Sequence, residues 1–244
     1  MNAKKIKLFC LPYAGGTAAY YDKWKPLLFP CIEMIPVELA GRGKRMHEPF
    51  SDDVSVMVED VVARVSTEIN DSAPYAFFGH SMGGLLAYLV ACRLEETRGT
   101  TAAHLFISAK GAPHIQRPDR TPYHSLPREE FVSAIVKLGA TPAEVFEYDE
   151  LLDLFMPLLR CDFRIGETVL AEKDIRQLSS DITILTGSND DILQEQVEGW
   201  KSYTRKKYNI HVFDGGHFFI NEHVKSVTDL INDQFKRCSR CQLH

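Results

Sequence analysis

No apolar run in the 244-residue sequence reaches the roughly eighteen residues that a bilayer-spanning helix needs, so no such helix is expected. A secretory signal core is also missing. The start MNAKKIKLFCLPYAGG is basic, but only about five apolar residues precede Pro12 and Gly15, too few for that role. Positive charge is not in excess: 28 Lys and Arg face 33 Asp and Glu, a net charge of -5. This gives no electrostatic reason to expect nucleic acid or an anionic membrane as partner. Repeats, low-complexity tracts and an interdomain linker are absent too. The six cysteines (Cys10, Cys31, Cys92, Cys161, Cys238 and Cys241) are scattered and no secretory signal is expected, which favours free thiols over a disulfide framework. Cys238-Ser239-Arg240-Cys241 with His244 offers only half a metal site, so neither a structural zinc nor any other cofactor is expected. The expected setting is cytoplasmic and the expected state a monomer.

What is present is the patterning of an α/β protein. The apolar share of 45% and the charged share of 25% are ordinary for a globular chain, and the length suits one α/β domain. Short apolar runs at Ile6 to Leu11, Glu33 to Val37, Tyr75 to Phe78, Leu105 to Ser108, Ile182 to Thr186 and Ile210 to Phe213 read as strands. Helical spacing lies between them. Val54, Met57, Val58, Val61, Val65 and Ile69 follow Ser51, a candidate N-cap, and Val224, Val227, Leu230, Ile231 and Phe235 form a last helix. A further helix carries Tyr20, Trp24 and Leu28. This alternation predicts a mostly parallel central sheet flanked by helices. From 112 to 171 no strand is evident. Pro127 and Pro142 open helical segments there and Gly139 closes the first, so 112–171 reads as a helical lid inserted into a core made of 1–111 and 172–244.

The chemistry-bearing signal is Gly79-His80-Ser81-Met82-Gly83, which follows one strand and opens the helix Leu85 to Leu94. A G-x-S-x-G sequence in that context puts a serine on a sharp strand-to-helix turn, with glycines where side chains would collide with backbone. A serine hydroxyl is a weak nucleophile without a base, so a histidine and an acid are required later in the chain. His217 follows the last strand in Asp214-Gly215-Gly216-His217, at the strand end where α/β sheets carry their sites. His223 is a weaker alternative.

For the acid, the loop after Ser108 reads Ala109-Lys110-Gly111 and has no carboxylate, whereas Gly187-Ser188-Asn189-Asp190-Asp191 has two. Asp190 fits the spacing after the turn glycine, with Asp191 as its rival and Asp214 as an outside candidate. The glycine loop Leu11-Pro12-Tyr13-Ala14-Gly15-Gly16 is the place for a second oxyanion donor, which assigns the amide of Ala14 beside that of Met82. In the helical insertion, Leu154, Phe155 and Met156 belong to a crowded apolar run. They either line an acyl pocket or pack the insertion against the core.

With these residues placed, the chain resembles the α/β-hydrolase-fold stand-alone type II thioesterases that accompany nonribosomal peptide and polyketide synthases. The stretches that carry the resemblance are LPYAGG (11–16), AGRGKR (40–45), GHSMGG (79–84), PHIQR (113–117), LGATP (138–142), LRCDFR (159–164), GSNDD (187–191) and DGGHFF (214–219). Ala40 departs from the usual proline, and the cysteine-bearing tail lies outside the pattern. The resemblance implies Ser81, Asp190 and His217 as the catalytic residues. It also implies an acyl thioester on the phosphopantetheine arm of a carrier protein as substrate, and release of misprimed or stalled groups as the task. Basic residues near the opening, such as Arg117, Arg120 or Arg128, would then suit an acidic carrier domain. A carboxylesterase or lipase, an acyltransferase, and a catalytically silent binding protein on the same fold are the alternatives.

Overall fold

The computed structural model describes residues 5–70, 73–119, 121–139 and 149–240, with backbone alone at 149 and 237–240. All six strand candidates form strands: β1 (Ile6–Leu11), β2 (Ile32–Pro36), β3 (Tyr75–His80), β4 (His104–Ser108), β5 (Asp181–Gly187) and β6 (Tyr208–Phe213). They make one sheet in the order β2-β1-β3-β4-β5-β6, and every pairing in it is parallel.

Burial on both faces explains the nearly unbroken apolar inner strands β1, β3, β4 and β5, while the edge strand β6 is largely exposed. One face packs Phe9, Phe77, Leu105 and Ile182 against α1 (Val54–Glu68) and α2 (Met82–Arg98). The other packs Leu8, Phe78 and Phe106 against Trp24 and α6 (Val224–Arg240). The spacing of α1 works as expected: Val61 and Val65 are fully buried, and burying such a side chain contributes about 1.5–3 kcal/mol.

Two local expectations are corrected. The N-cap of α1 is Asp53, not Ser51: its carboxylate accepts the Ser55 amide at 2.7 Å, while Ser51 Oγ accepts the Asp53 amide one step earlier. Both residue types cap well, and Asp53 directly adjoins the first helical residue. The segment carrying Tyr20 and Trp24 is a 3-10 run, Ala18–Leu27, which ends before Leu28; Pro26 within it has no N–H to give an α-helical ladder.

Between β4 and β5 the described residues hold two long helices, α3 (Arg128–Leu138) and α4 (Asp149–Gly166), and no strand. Pro127 precedes α3, and Gly139 ends it at φ +83°; Pro142 lies outside the described residues. Phe131 and Ile135 of α3 with Leu152 and Met156 of α4 form a separate apolar cluster, while Ile165 near the end of α4 joins the main core. A short α5 (Gln194–Glu198) follows β5. Chain direction across the sheet reverses at β1 and β3, so a crevice opens at the carboxyl ends of these two strands.

Candidate active site

Ser81 occupies that crevice, between the end of β3 and the first residue of α2. Its backbone is at φ 55°, ψ -118°, a conformation a non-glycine residue holds at a cost of about 1–3 kcal/mol. Neighbouring backbone fixes it: the Ser81 amide donates to Ser108 O at 2.7 Å and the Gly84 amide to Ser81 O at 2.9 Å. Two of the motif's glycines are steric necessities. A Cβ on Gly79 would lie 1.9 Å from Gly83 O, and one on Gly83 would lie 2.3 Å from Leu11 O.

The histidine and the acid arrive on loops after β6 and β5. The Ser81 hydroxyl donates to His217 Nε2 at 3.0 Å, and His217 Nδ1–H donates to both carboxylate oxygens of Asp190 at 3.0 and 3.1 Å. The carboxylate can only accept, which places the imidazole proton on Nδ1 and leaves Nε2 to accept from the serine. The two loops are laced together. The Ser188 amide donates to Phe213 O and the Asn189 amide to Gly215 O, and a Cβ on Gly187 would come within 2.4 Å of Gly216 O.

The open choices among neighbours resolve in this geometry. Asp191 turns its carboxylate toward Arg117 at 3.6 Å and gives only its amide to Asp190 Oδ1, at 2.8 Å. Asp214 accepts from the Ser188 hydroxyl, and His223 Nε2–H donates to Asp214 O. His80 is wholly buried, with Nδ1 2.9 Å from Ser108 Oγ and its ring 5.4 Å from that of His217. Burial, and then the neighbouring His217, hold its pKa well below the ordinary value, so it sits beside the triad as a neutral ring.

Ser81 and His217 open onto a cavity of about 310 Å³. Ala14 and Met82 line it as well. Met82 is the first residue of α2, where an amide has no acceptor one turn earlier in the helix. The apolar wall is made by Ile115, Ile135, Leu138, Leu159 and Phe163. Lys110 also lines the cavity. Its Nζ donates to Gly166 O at the end of α4 at 2.7 Å, and burial, opposed by Glu167, pulls its pKa down to about 8.

The apolar residues singled out in the insertion need correction. Leu154 and Phe155 are exposed, at 69% and 47%, and Met156 is buried against α3. None of the three lines the cavity. Leu159 and Phe163 do, one and two turns beyond Phe155 on the same stripe of α4. Leu159 closes the crowded apolar run read from the sequence, whereas Phe163 lies beyond it and was missed, because the apolar arc of α4 is too broad to show which residues face the cavity. Sequence reading also missed Asp162, a carboxylate set within an apolar helix, which was the one available signal of a buried polar contact. Among the basic residues, Arg117 lines the cavity and Arg128 pairs with Asp153, while Arg120 lies outside the described residues. The Cys238 side chain, Cys241 and His244 lie outside them too.

A family model for the thioesterase domain matches residues 6–235. This chain belongs to the thioesterase domain family. It is a hydrolase acting on thioesters, with the α/β-hydrolase fold of its relatives. The medium-chain S-acyl fatty acid synthase thioesterase of Rattus norvegicus is 34% identical over 217 residues, covering 88% of this thioesterase and 81% of the rat protein. Among solved structures, ClbQ from the colibactin NRPS/PKS pathway superposes with a TM-score of 0.88 at 31% identity, covering 98% of this chain and all of ClbQ. BorB, the type II thioesterase of the borrelidin biosynthetic cluster, superposes with a TM-score of 0.82 at 31% identity, covering 94% of this chain and 92% of BorB. Among the described residues, no helix is long and apolar enough to cross a membrane.

Proposed function

We propose that this thioesterase is a type II enzyme that releases acyl groups from the phosphopantetheine arms of carrier proteins, clearing misprimed or stalled peptide and polyketide synthases. The observation that carries the reading is the Ser81–His217–Asp190 chain of hydrogen bonds at the mouth of a partly apolar cavity. Its likeness to ClbQ and BorB over nearly the whole chain supports the substrate class. The arm belongs to the partner, so the enzyme needs no cofactor of its own. It acts as a monomer in the cytoplasm, and Arg117 at the cavity is suited to an acidic carrier domain.

In this mechanism Ser81 Oγ attacks the thioester carbonyl as its proton passes to His217 Nε2, and Asp190 stabilises the imidazolium. The amides of Ala14 and Met82 donate to the oxyanion. The C–S bond then breaks, and the arm departs as a thiol carrying the proton from His217. Water, deprotonated by His217, attacks the acyl-serine ester, and collapse of the second tetrahedral intermediate frees the acid and returns the proton to Ser81. The helical insertion acts as a lid that forms the acyl chamber. Its volume of about 310 Å³ falls at the low end of the roughly 300–1,000 Å³ of small-molecule sites, which favours short acyl groups.

The similarity to the rat enzyme favours a second reading, hydrolysis of medium-length fatty acyl thioesters. A panel of short-acyl, medium-acyl and aminoacyl carrier proteins, with matching oxygen esters, separates the readings. Fastest release of short acyl or aminoacyl groups from carriers supports the proposal. Fastest release of medium fatty acyl groups supports the second reading, and a strong preference for oxygen esters contradicts both. Ser81→Ala is expected to lose on the order of a million-fold in turnover. Retention of turnover within about tenfold would remove Ser81 from the mechanism.

A further inference from the structure

The loop that carries Ala14 is held from across the cavity by a buried carboxylate on α4. Tyr13 to Gly16 form a tight turn in which the Gly16 amide donates to Tyr13 O at 2.8 Å. Gly15, third in the turn, has φ +75°, the value that distinguishes a type II turn from type I. The peptide group is planar and trans, so turning the Tyr13 carbonyl back toward Gly16 points the Ala14 N–H the opposite way. The next peptide is the one that flips between the two turn types. Its N–H, on Gly15, donates to Asp162 Oδ2 at 2.7 Å.

Asp162 is no incidental acceptor. It is fully buried and receives both terminal nitrogens of Arg42, Nη1 on Oδ2 at 2.6 Å and Nη2 on Oδ1 at 2.7 Å. Arg42 is itself buried, and its Nη1 also reaches Gly16 O at 3.4 Å. One bidentate pair therefore grips the turn at both glycines and ties it to α4. Leu159 on the same helix packs closely over this turn: a Cβ on Gly15 would meet its Cδ2 at 2.5 Å.

We propose that Asp162, paired with Arg42, is a positioning residue for the oxyanion hole: by holding the Gly15 amide it fixes the turn that aims the Ala14 N–H at the carbonyl oxygen of the substrate. This rests on the roles given above to Ser81 and Ala14. A buried ion pair can also serve stability alone, and the two roles separate when the pair is replaced by apolar residues of similar volume. Such replacement commonly leaves stability intact, yet it gives the Gly15 amide no acceptor.

The test compares the parent with Asp162→Asn, which keeps an acceptor but not the charge, and with the double variant Arg42→Met/Asp162→Leu. Each is measured for Tm, for kcat and KM on an acyl-carrier substrate, and for affinity toward two probes. One is an acyl trifluoromethyl ketone, whose adduct with Ser81 carries an oxyanion. The other is a non-hydrolysable carrier thioether, which does not. The double variant is expected to melt near the parent, lose about 100- to 1,000-fold in kcat, as for removal of one oxyanion donor, and hold KM within about threefold. Ketone affinity should fall in parallel while thioether affinity stays put, with Asp162→Asn between the double variant and the parent. If either variant folds and binds the ketone as tightly as the parent, the positioning role is overturned. So is it if the loss is in KM alone. Failure of the parent itself to bind the ketone at Ser81 would instead strike the underlying mechanism.

Discussion

The two walls of the cavity are built by different means. On the sheet side, the ends of β3, β5 and β6 deliver Ser81, Asp190 and His217, and backbone approaches too close for any side chain fix the loops at Gly79, Gly83 and Gly187. On the other side, α4 offers a broad apolar arc beside one charged edge. Leu152 and Met156 face α3, Leu159 and Phe163 face the cavity, and Leu151, Leu154 and Phe155 are exposed. Positions set by backbone geometry tolerate one residue type, whereas a helix with a broad apolar arc leaves its direction to whatever packs against it.

The sharpest test of this contrast lies in the acid loop, where two adjacent carboxylates differ only in direction. Asp190→Asn should lower kcat by about 10⁴-fold, since the amide no longer holds the imidazole in the productive tautomer. Asp191→Asn should stay within about threefold, because Asp191, although it lines the cavity, turns its carboxylate to Arg117 and leaves the imidazole to Asp190. Steady-state kinetics on one acyl-carrier substrate reads both. Equal losses would mean that the loop, rather than one carboxylate, matters.

That loop also marks how far the sequence was legible. The spacing after Gly187 favoured Asp190 but left Asp191 standing, because both follow the same turn. Only the lacing of the β5 and β6 loops, through the Asn189 amide and Gly215 O, sets which one meets His217. All six strands were readable because each is a short apolar run buried on both faces or bounded by turns. Leu154, Phe155 and Met156 misled for the converse reason: they sit on an apolar arc so broad that the charged edge of Glu150, Asp153, Arg160 and Arg164 does not say which part of it meets the cavity. Asp162 and Arg42 lie 120 residues apart and meet only through the fold, so spacing gave no sign of their pairing.

The next effect concerns the glycines themselves. Gly79→Ala should destabilise the protein by about 4 kcal/mol or prevent folding, because the added carbon would overlap the Gly83 carbonyl. Chemical denaturation reads this. Gly99→Ala at the end of α2, with open space around it, is strained only by its φ of +62° and should cost a fraction of that.

A third, smaller effect is acid sensitivity of the sheet side. His104, buried at the start of β4, has its pKa pushed down to about 4 by burial, with Asp181 opposing. The folded value lies below the unfolded one near 6.5, so the unfolded chain binds the extra proton between them. The stabilisation is present above about pH 6.5 and is lost as pH falls toward 4. His104 alone should cost about 2 kcal/mol between pH 7 and pH 5. Burial of His80 acts in the same direction. Denaturation curves of the parent and of His104→Gln at the two pH values check this: the variant should lose less on acidification.

The smallest effects belong to the helices between β4 and β5. Leu159→Ala should raise KM or lower kcat/KM by about tenfold through lost contact with the acyl group, while Leu154→Ser should leave both within about threefold. A reversal would return Leu154 to the acyl chamber.

The central claim is that hydrolysis passes through an acyl ester on Ser81. Mixing the enzyme with a slowly turned-over acyl-carrier thioester, quenching within a single turnover and measuring peptide masses addresses it directly. The acyl increment should appear on the peptide containing Ser81, decay as free acid forms, and be absent from Ser81→Ala. An increment on any other residue, or free acid released at the parental rate by Ser81→Ala, would contradict it.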